Sequence, residues 1–271
     1  MKALDDIGID SQPGVWSDAG VDWLAFDALV FRTPWDYFAR LAEFRPWLDA
    51  RIKSGVRMIN AREIIEWNFD KRYLRDLAQA GVSVIPTVVV RRGEPVDVVA
   101  LARAQGWEEI VIKPSISGSA YLTHRFRLED AAKHHGDVAQ ILRDRDLLIQ
   151  PFLPEIMSDG ELSLLFFDGV FSHAIRKRAK KGEYRVQFDY GGTNENAEVT
   201  PEWIDGARAC IAAAPSLPAY ARVDGVIHQG KFVLMELEIF EPLLYLARHP
   251  EAPARFAQAI ARRLSQPGQT R

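Results

Sequence analysis

Residues 223–242, VDGVIHQGKFVLMELEIFEP, constrain this chain more than any other stretch. Their pattern predicts a β-hairpin. One arm carries Arg222 and Asp224; the other alternates Leu234, Glu236 and Glu238 with Val233, Met235 and Leu237. Alternate residues of a strand share a face, so Glu236 and Glu238 project together while Met235 and Leu237 are expected to face the core. Adjacent carboxylates repel each other, and two readings answer that. One is a hard divalent cation such as Mg²⁺, which takes carboxylate and phosphate oxygens. The other is a solvated strand face. The metal reading makes a geometric demand, because a tight turn at Gln229-Gly230 would set Asp224 opposite Met235. It therefore predicts a three-residue turn, Gln229–Lys231, or a bulge that restores register.

The remaining bulk properties exclude more than they identify. The chain has 271 residues, 48% hydrophobic and 26% charged, enough for a sizeable core in two or three lobes. A net charge of −3 gives no global pull toward nucleic acid or a membrane surface. The single cysteine, Cys210, excludes an intrachain disulfide and a cysteine-based metal cluster. No apolar run approaches the roughly 20 residues of a membrane span, and no signal peptide opens the chain. The expected location is cytoplasmic.

Along the chain, an expected α/β rhythm begins with DALVFRT (27–33), an amphipathic helix over 36–52 and a short strand VRMIN (56–60). A Rossmann-like lobe normally opens on a buried strand, and none precedes residue 10, so the N-terminal lobe is expected to lack its first strand. Two helices follow over 61–80, then an extended SVIPTVVV (83–90), a helix near 95–105 and a strand EEIVIKP (108–114). A small-residue loop, SISGSA, precedes a returning strand at 121–127, a helix at 129–143 and a strand over 146–154. Asp168-Gly169 signals a hairpin between 161–168 and 170–176. The polar stretch 178–194 reads as a long mobile loop. Helices near 201–213 and 250–265 flank the opening hairpin.

Four groups carry candidate chemistry. Gly225, Gly230 and Lys231 approximate a P-loop, but Phe232 stands where a metal-binding Ser or Thr is needed and no helix opens there. Lys113 ends an apolar strand and meets Ser115, Ser117, Gly118 and Ser119, whose small side chains let backbone N–H groups approach an anion; an ordinary turn beside a solvated lysine fits the same residues. The run Arg176, Lys177, Arg178, Lys180, Lys181, with Arg185 beyond, lacks interleaved aromatics and so supports nucleic-acid stacking weakly. A basic lid over phosphates fits it equally well. Lys71, in EWNFDKRYLRDL, reads alone as a surface lysine.

In this order, WNFDKRYL, VIKP with its small loop, LIQPFLP, the DGELSLLFFDG hairpin, AIRKR, ARVDG and MELEIFEP resemble the ATP-grasp superfamily over residues 60–245. The likeness is to the branch of glutathione synthetase, D-alanine–D-alanine ligase and the D-cycloserine-forming ligase. The resemblance implies an ATP-grasp fold: an N-terminal lobe over 1–66, a small ATP-binding lobe over 67–151 and a large lobe over 152–271. It implies that Lys71 and Lys113 hold ATP phosphates and that Ser115, Ser117, Gly118 and Ser119 close over them. It further implies that Gln150, Pro151, Phe152 and Leu153 meet adenine, Glu161 the ribose, and Arg176 a phosphate. Asp224, Glu236 and Glu238 match the metal ligands, and Arg222 the arginine that stabilises the acyl-phosphate and tetrahedral intermediate. Glu238 stands where the superfamily often has Asn, and Leu243 where a small polar residue is expected.

The implied activity is an ATP-dependent carboxylate–amine or thiol ligase acting on small amino-acid or peptide-like substrates. It would use two Mg²⁺ ions, with Mn²⁺ as an alternative, and act as a homodimer without nucleic acid or membrane. Arg32 and Asp36, just after a parallel strand, are expected at the substrate together with Arg185, although helix capping explains Asp36 equally well. The competing class is an ATP-binding homologue without ligase activity, and a polyanion-binding module is a third.

Overall fold

The computed structural model describes residues 1–266; the last five positions of the expected large lobe lie outside the described residues. The N-terminal lobe contains α1 (Lys2–Asp5), β1 (Leu29–Val30), α2 (Leu41–Lys53) and β2 (Met58–Ile59). β1 and β2 form a parallel pair, Leu29 opposite Met58 and Val30 opposite Ile59. Helix α2 starts five residues later than the periodicity predicts, because Pro34–Arg40 is taken up by turns closed by Tyr37 N–H to the Pro34 carbonyl and Arg40 N–H to the Asp36 carbonyl, both 3.0 Å. An aromatic cluster of Trp16, Phe31, Tyr37, Phe44, Phe69 and Phe240 fills this lobe. Phe240 comes from the far end of the chain and ties the lobe to the large sheet.

The middle of the chain runs α3 (Arg62–Asn68), α4 (Tyr73–Gln79), β3 (Val88–Val90), α5 (Val98–Ala104), β4 (Glu109–Pro114), β5 (His124–Arg127), α6 (His135–Asp144) and β6 (Leu147–Pro151). The four strands make an antiparallel sheet in the order β3-β6-β4-β5. Asp97 starts α5 by accepting the Ala100 N–H at 2.9 Å, one of the orphan donors of a helix N-terminus. A 3-10 segment, Leu128–His134, takes the first part of the helix expected at 129–143.

The large lobe follows as α7 (Glu155–Ser158), β7 (Glu161–Phe167), β8 (Val170–Arg178), β9 (Thr193–Asn196), α8 (Pro201–Ala212), β10 (Tyr220–His228), β11 (Lys231–Glu238) and α9 (Ala252–Ser265). Its five-stranded antiparallel sheet runs β11-β10-β7-β8-β9. Leu162, Leu164, Phe166, Val223 and Leu237 pack with α8 on one face. Leu165, Phe167, Ile175 and Tyr220 pack with Phe256 and Ile260 of α9 on the other. The extended segment before β3 stitches the two sheets together: Ile85 N–H donates to the Leu234 carbonyl and Leu234 N–H to the Ser83 carbonyl, both at 2.9 Å. No helix among the described residues is long and apolar enough to cross a membrane.

Candidate active site

A cavity of about 700 Å³ lies between the two antiparallel sheets. Its polar floor is the α9-side face of the large sheet, beyond the point where that face stops being apolar. Cross-strand pairing sets the rows: Leu165, Arg222 and Glu238 lie side by side, then Ser163, Asp224 and Glu236, then Glu161 and Lys177. All but Leu165 and Ser163 line the cavity.

This arrangement depends on two β-bulges. The β10–β11 hairpin has the tight turn, with His228 opposite Lys231, yet Asp224 pairs with Glu236 and Gly225 with Leu234. Met235 is the extra residue, so the bulge meets the demand made by the acidic pattern. A Cβ on Gly225 would stand 2.5 Å from both the Phe232 ring and the Val233 carbonyl oxygen, which restricts this position to glycine. Met235 differs from its expected place in the core; the bulge brings it to the cavity wall.

The second bulge lies in β8. Phe166 pairs with Phe171 but Leu165 pairs with His173, leaving Ser172 as the extra residue. Continuing the tight-turn register without it would set Arg176 opposite Glu161; with it, Lys177 takes that place. The expected phosphate role of Arg176 is therefore corrected. Arg176 points to the other face and donates to the Asp159 carbonyl at 2.7 Å. Lys177, a member of the basic run, is buried, pairs with Glu161 and donates to Asp224 Oδ2 at 2.9 Å. Counting parity across Asp168-Gly169 is the signal that bears on it, and the bulge hides the outcome.

Three further placements are corrected. Arg32 leaves the cleft: its guanidinium donates to the Pro242 carbonyl at 3.1 Å and lies over the Phe256 ring. Asp36 accepts the Trp16 indole N–H at 2.7 Å and pairs with Arg40 at 2.9 Å, holding the turn before α2. Ser115 turns its hydroxyl to Asp70 Oδ2 at 3.2 Å, away from the cavity. The rest of the small loop does reach it, with Ser117, Gly118 and Ser119 in the wall. A Cβ on Gly118 would sit 2.8 Å from the Phe38 ring, so the loop lies flush on the N-terminal lobe there.

Lys71 and Lys113 approach the floor from above. Lys71 Nζ is 3.2 Å from Glu236 Oε1 and also donates to the Ser117 carbonyl. Burial lowers the Lys113 pKa, with Lys71 adding to the push. Gln150, Pro151, Phe152 and Leu153 edge an apolar end formed with Ile85, Val111, Ile156 and Met235. Arg185 lines the opening, paired with Glu183 at 2.7 Å and lying 3.7 Å over the Tyr190 ring.

Electrostatically, the cavity balances its acids against four cations, Arg222, Lys177, Lys71 and Lys113. Burial works against an ionised Asp224, but Arg222 and Lys177 outweigh it and hold its carboxyl well below the usual range. Burial opposes Glu236 as well, and Lys71 and Lys113 again prevail. Glu238 goes the other way: burial pushes it up to about 8 despite Arg222. Glu241, on the Trp35 and Tyr245 side, is pushed by burial to about 7. An oxygen-only donor set facing two lysines suits a hard cation shared with phosphates. Asp224, Glu236 and Glu238 each hold an internal cation, and they are not among groups whose ligand atoms all approach within 4.8 Å. Ion entry would therefore require Arg222 and Lys71 to give way.

The family described as "D-cycloserine synthetase DcsG, N-terminal domain" matches residues 1–60. The cycloserine biosynthesis protein DcsG of Streptomyces lavendulae is 35% identical over 97% of this chain and 92% of its own. The chain belongs to this D-cycloserine synthetase family. The crystal structure of D-cycloserine synthetase DcsG superposes with a TM-score of 0.89 at 34% identity, covering 97% of this chain and 93% of that one. The ATP-grasp ligase PsnB, solved with a minimal precursor, Mg and ADP, shares the fold at a TM-score of 0.59 and 16% identity, covering 89% and 78%. The family places the chain in the ligase branch of the ATP-grasp superfamily, as the motif order implied. It is an ATP-dependent ligase.

Proposed function

We propose that this ligase joins a carboxylate to an amine through an acyl-phosphate, at the cavity floored by Asp224, Glu236, Glu238, Arg222, Lys177 and Glu161. The observation that carries this reading is the bulged register, which sets Asp224 directly opposite Glu236 beside two buried lysines. In the proposal, Lys71, Lys113 and Lys177 bind phosphates, and Ser117–Ser119 cover them. Adenine lies among Ile85, Val111, Ile156 and Met235. Phe152 N–H is already spent on the Glu109 carbonyl at 2.9 Å, so Leu153 N–H and the Pro151 carbonyl are left to face the base edge. Glu161 takes the ribose hydroxyls.

Two Mg²⁺ ions, held by Asp224, Glu236 and Glu238, would neutralise charge on the β- and γ-phosphates and align in-line transfer; Mn²⁺ suits the same ligands. A substrate carboxylate oxygen attacks the γ-phosphorus and ADP leaves. The amine then attacks the acyl carbon, and phosphate departs carrying that carboxylate oxygen. Arg222 faces the developing oxyanion. Loop 179–192, with Arg185 at the opening, excludes water that would hydrolyse the acyl-phosphate. Glu241, beside Tyr37 and among the acids of the floor, is offered to the ammonium group of an amino-acid substrate.

The name of the Streptomyces relative directs the substrate choice. The ring of D-cycloserine closes between a carboxyl carbon and a nitrogen, so the matching substrate is an acyclic D-serine derivative bearing nitrogen on its side-chain oxygen. We further propose lobe boundaries at 66/67 and 151/152 and a cytoplasmic homodimer, for which light scattering should give twice the chain mass. The test is ADP release from MgATP over a panel of acids and amines that includes this D-serine derivative. Substrate-stimulated release is expected; nucleotide binding with no stimulated release by any pair would leave a non-catalytic homologue.

A further inference from the structure

Outside the cleft, on the small lobe, two imidazoles converge on one carboxylate. His124 opens β5, His134 ends the 3-10 segment and Asp137 lies in the first turn of α6. His134 Nδ1 is 2.7 Å from Asp137 Oδ2, and His124 Nδ1 is 3.4 Å from the same oxygen. One ligand atom from each residue lies within 4.8 Å of the other two. Donors at about 2.0–2.1 Å from a tetrahedral Zn²⁺ stand about 3.3 Å apart. The 2.7 and 3.4 Å separations bracket that value, and no separation within the group exceeds 4.8 Å.

Other features favour a cation here. The three side chains are 28%, 24% and 30% exposed, so the group opens to solvent on one side, where water would complete the shell. The neighbouring cations are already neutralised: Arg125 pairs with Glu109 at 2.8 Å, Lys133 with Asp130 at 2.5 Å, Arg127 with Glu129 at 3.4 Å and Arg185 with Glu183 at 2.7 Å. The backing is rigid, since His134 stacks on Phe126 with ring centroids 4.2 Å apart.

We propose that His124, His134 and Asp137 form a structural site for a borderline divalent metal of the Zn²⁺ class, separate from the Mg²⁺ chemistry of the cleft. Its two imidazoles select against Mg²⁺, which prefers oxygen. The ion would clamp the start of β5 to α6. That position follows directly after the small-residue loop, and the adjacent Thr123 carbonyl accepts the Tyr184 hydroxyl at 2.9 Å. The clamp would thus fix the edge against which loop 179–192 rests.

Full-length protein is dialysed against Zn²⁺ with excess Mg²⁺, which occupies oxygen-only sites, and retained zinc is counted. Wild type should hold one zinc per chain more than His134→Ala, bind it at least tenfold more tightly than Asp137→Asn, and show a zinc-dependent rise in Tm that both variants lose. Equal zinc retention and equal Tm shifts in all three proteins would overturn the site. A second measurement needs no variant. In ¹⁵N-histidine spectra of the wild type, two of the six histidines should shift together and saturate at one equivalent of zinc. Absence of such a stoichiometric shift would overturn the proposal whether or not the variants fold.

Discussion

Lys177 sits between Glu161 and Asp224, and its neighbour Arg176 faces the opposite side of the same strand. A charge-assisted hydrogen bond contributes about 1.5–3 kcal/mol, which corresponds to roughly tenfold to a hundredfold in binding. Lys177→Met should therefore raise the KM for ATP by at least tenfold, with thermal unfolding run alongside because it strips a cation from buried acids. Arg176→Met should stay within about twofold of wild type; equal losses in both variants would contradict the register. A separate residue-scale effect concerns stability. Burial, aided by His249, lowers the His173 pKa from 6.5 to about 4. The unfolded chain then binds the proton more readily, so this contribution is complete above pH 6.5 and is lost as pH falls toward 4. It amounts to about 3 kcal/mol at most. Denaturant titrations between pH 7 and 4.5 should show a smaller loss for His173→Gln than for wild type, and parallel curves would count against it.

At the scale of elements, hairpins and helices were readable because turn signals and period-2 alternation are local. The Asp168-Gly169 and Gln229-Gly230 turns both formed where their residues predict. The bulges were only half readable. The acid pattern demanded one in β10–β11, since carboxylates must share a face to share a cation. Nothing in residues 170–178 demanded the other, and it exchanged Lys177 for Arg176. Arg32 was unreadable for another reason: its partner, the Pro242 carbonyl, lies 210 residues away. Two tests belong here. Gly225→Ala forces a Cβ against Phe232 and the Val233 carbonyl; it should cost about 1–3 kcal/mol in urea unfolding and weaken MgATP binding, and a neutral substitution would show that the bulge is dispensable. Trypsin should cut loop 179–192 at Lys180, Lys181 or Arg185 more slowly with MgATP bound. Unchanged cleavage would deny the loop its covering role.

Across the whole molecule, two antiparallel sheets and the turns before α2 meet at one cleft, and each supplies something distinct. The small sheet brings Lys113, the large sheet the acids and Arg222, and the N-terminal lobe the Phe38 and Trp35 wall. An enzyme assembled this way needs little proton chemistry from its side chains; it binds, neutralises and keeps water out. The transfer of a carboxylate oxygen to phosphate follows from that account and from no adenylate route. With the substrate, single molecule or acid–amine pair, that stimulates ADP release, the carboxylate is labelled with ¹⁸O and the inorganic phosphate is analysed. The expected result is one ¹⁸O in each phosphate released, with turnover reduced at least a hundredfold in Glu236→Gln. Label found in AMP, or phosphate free of ¹⁸O, would contradict the acyl-phosphate route through this cleft.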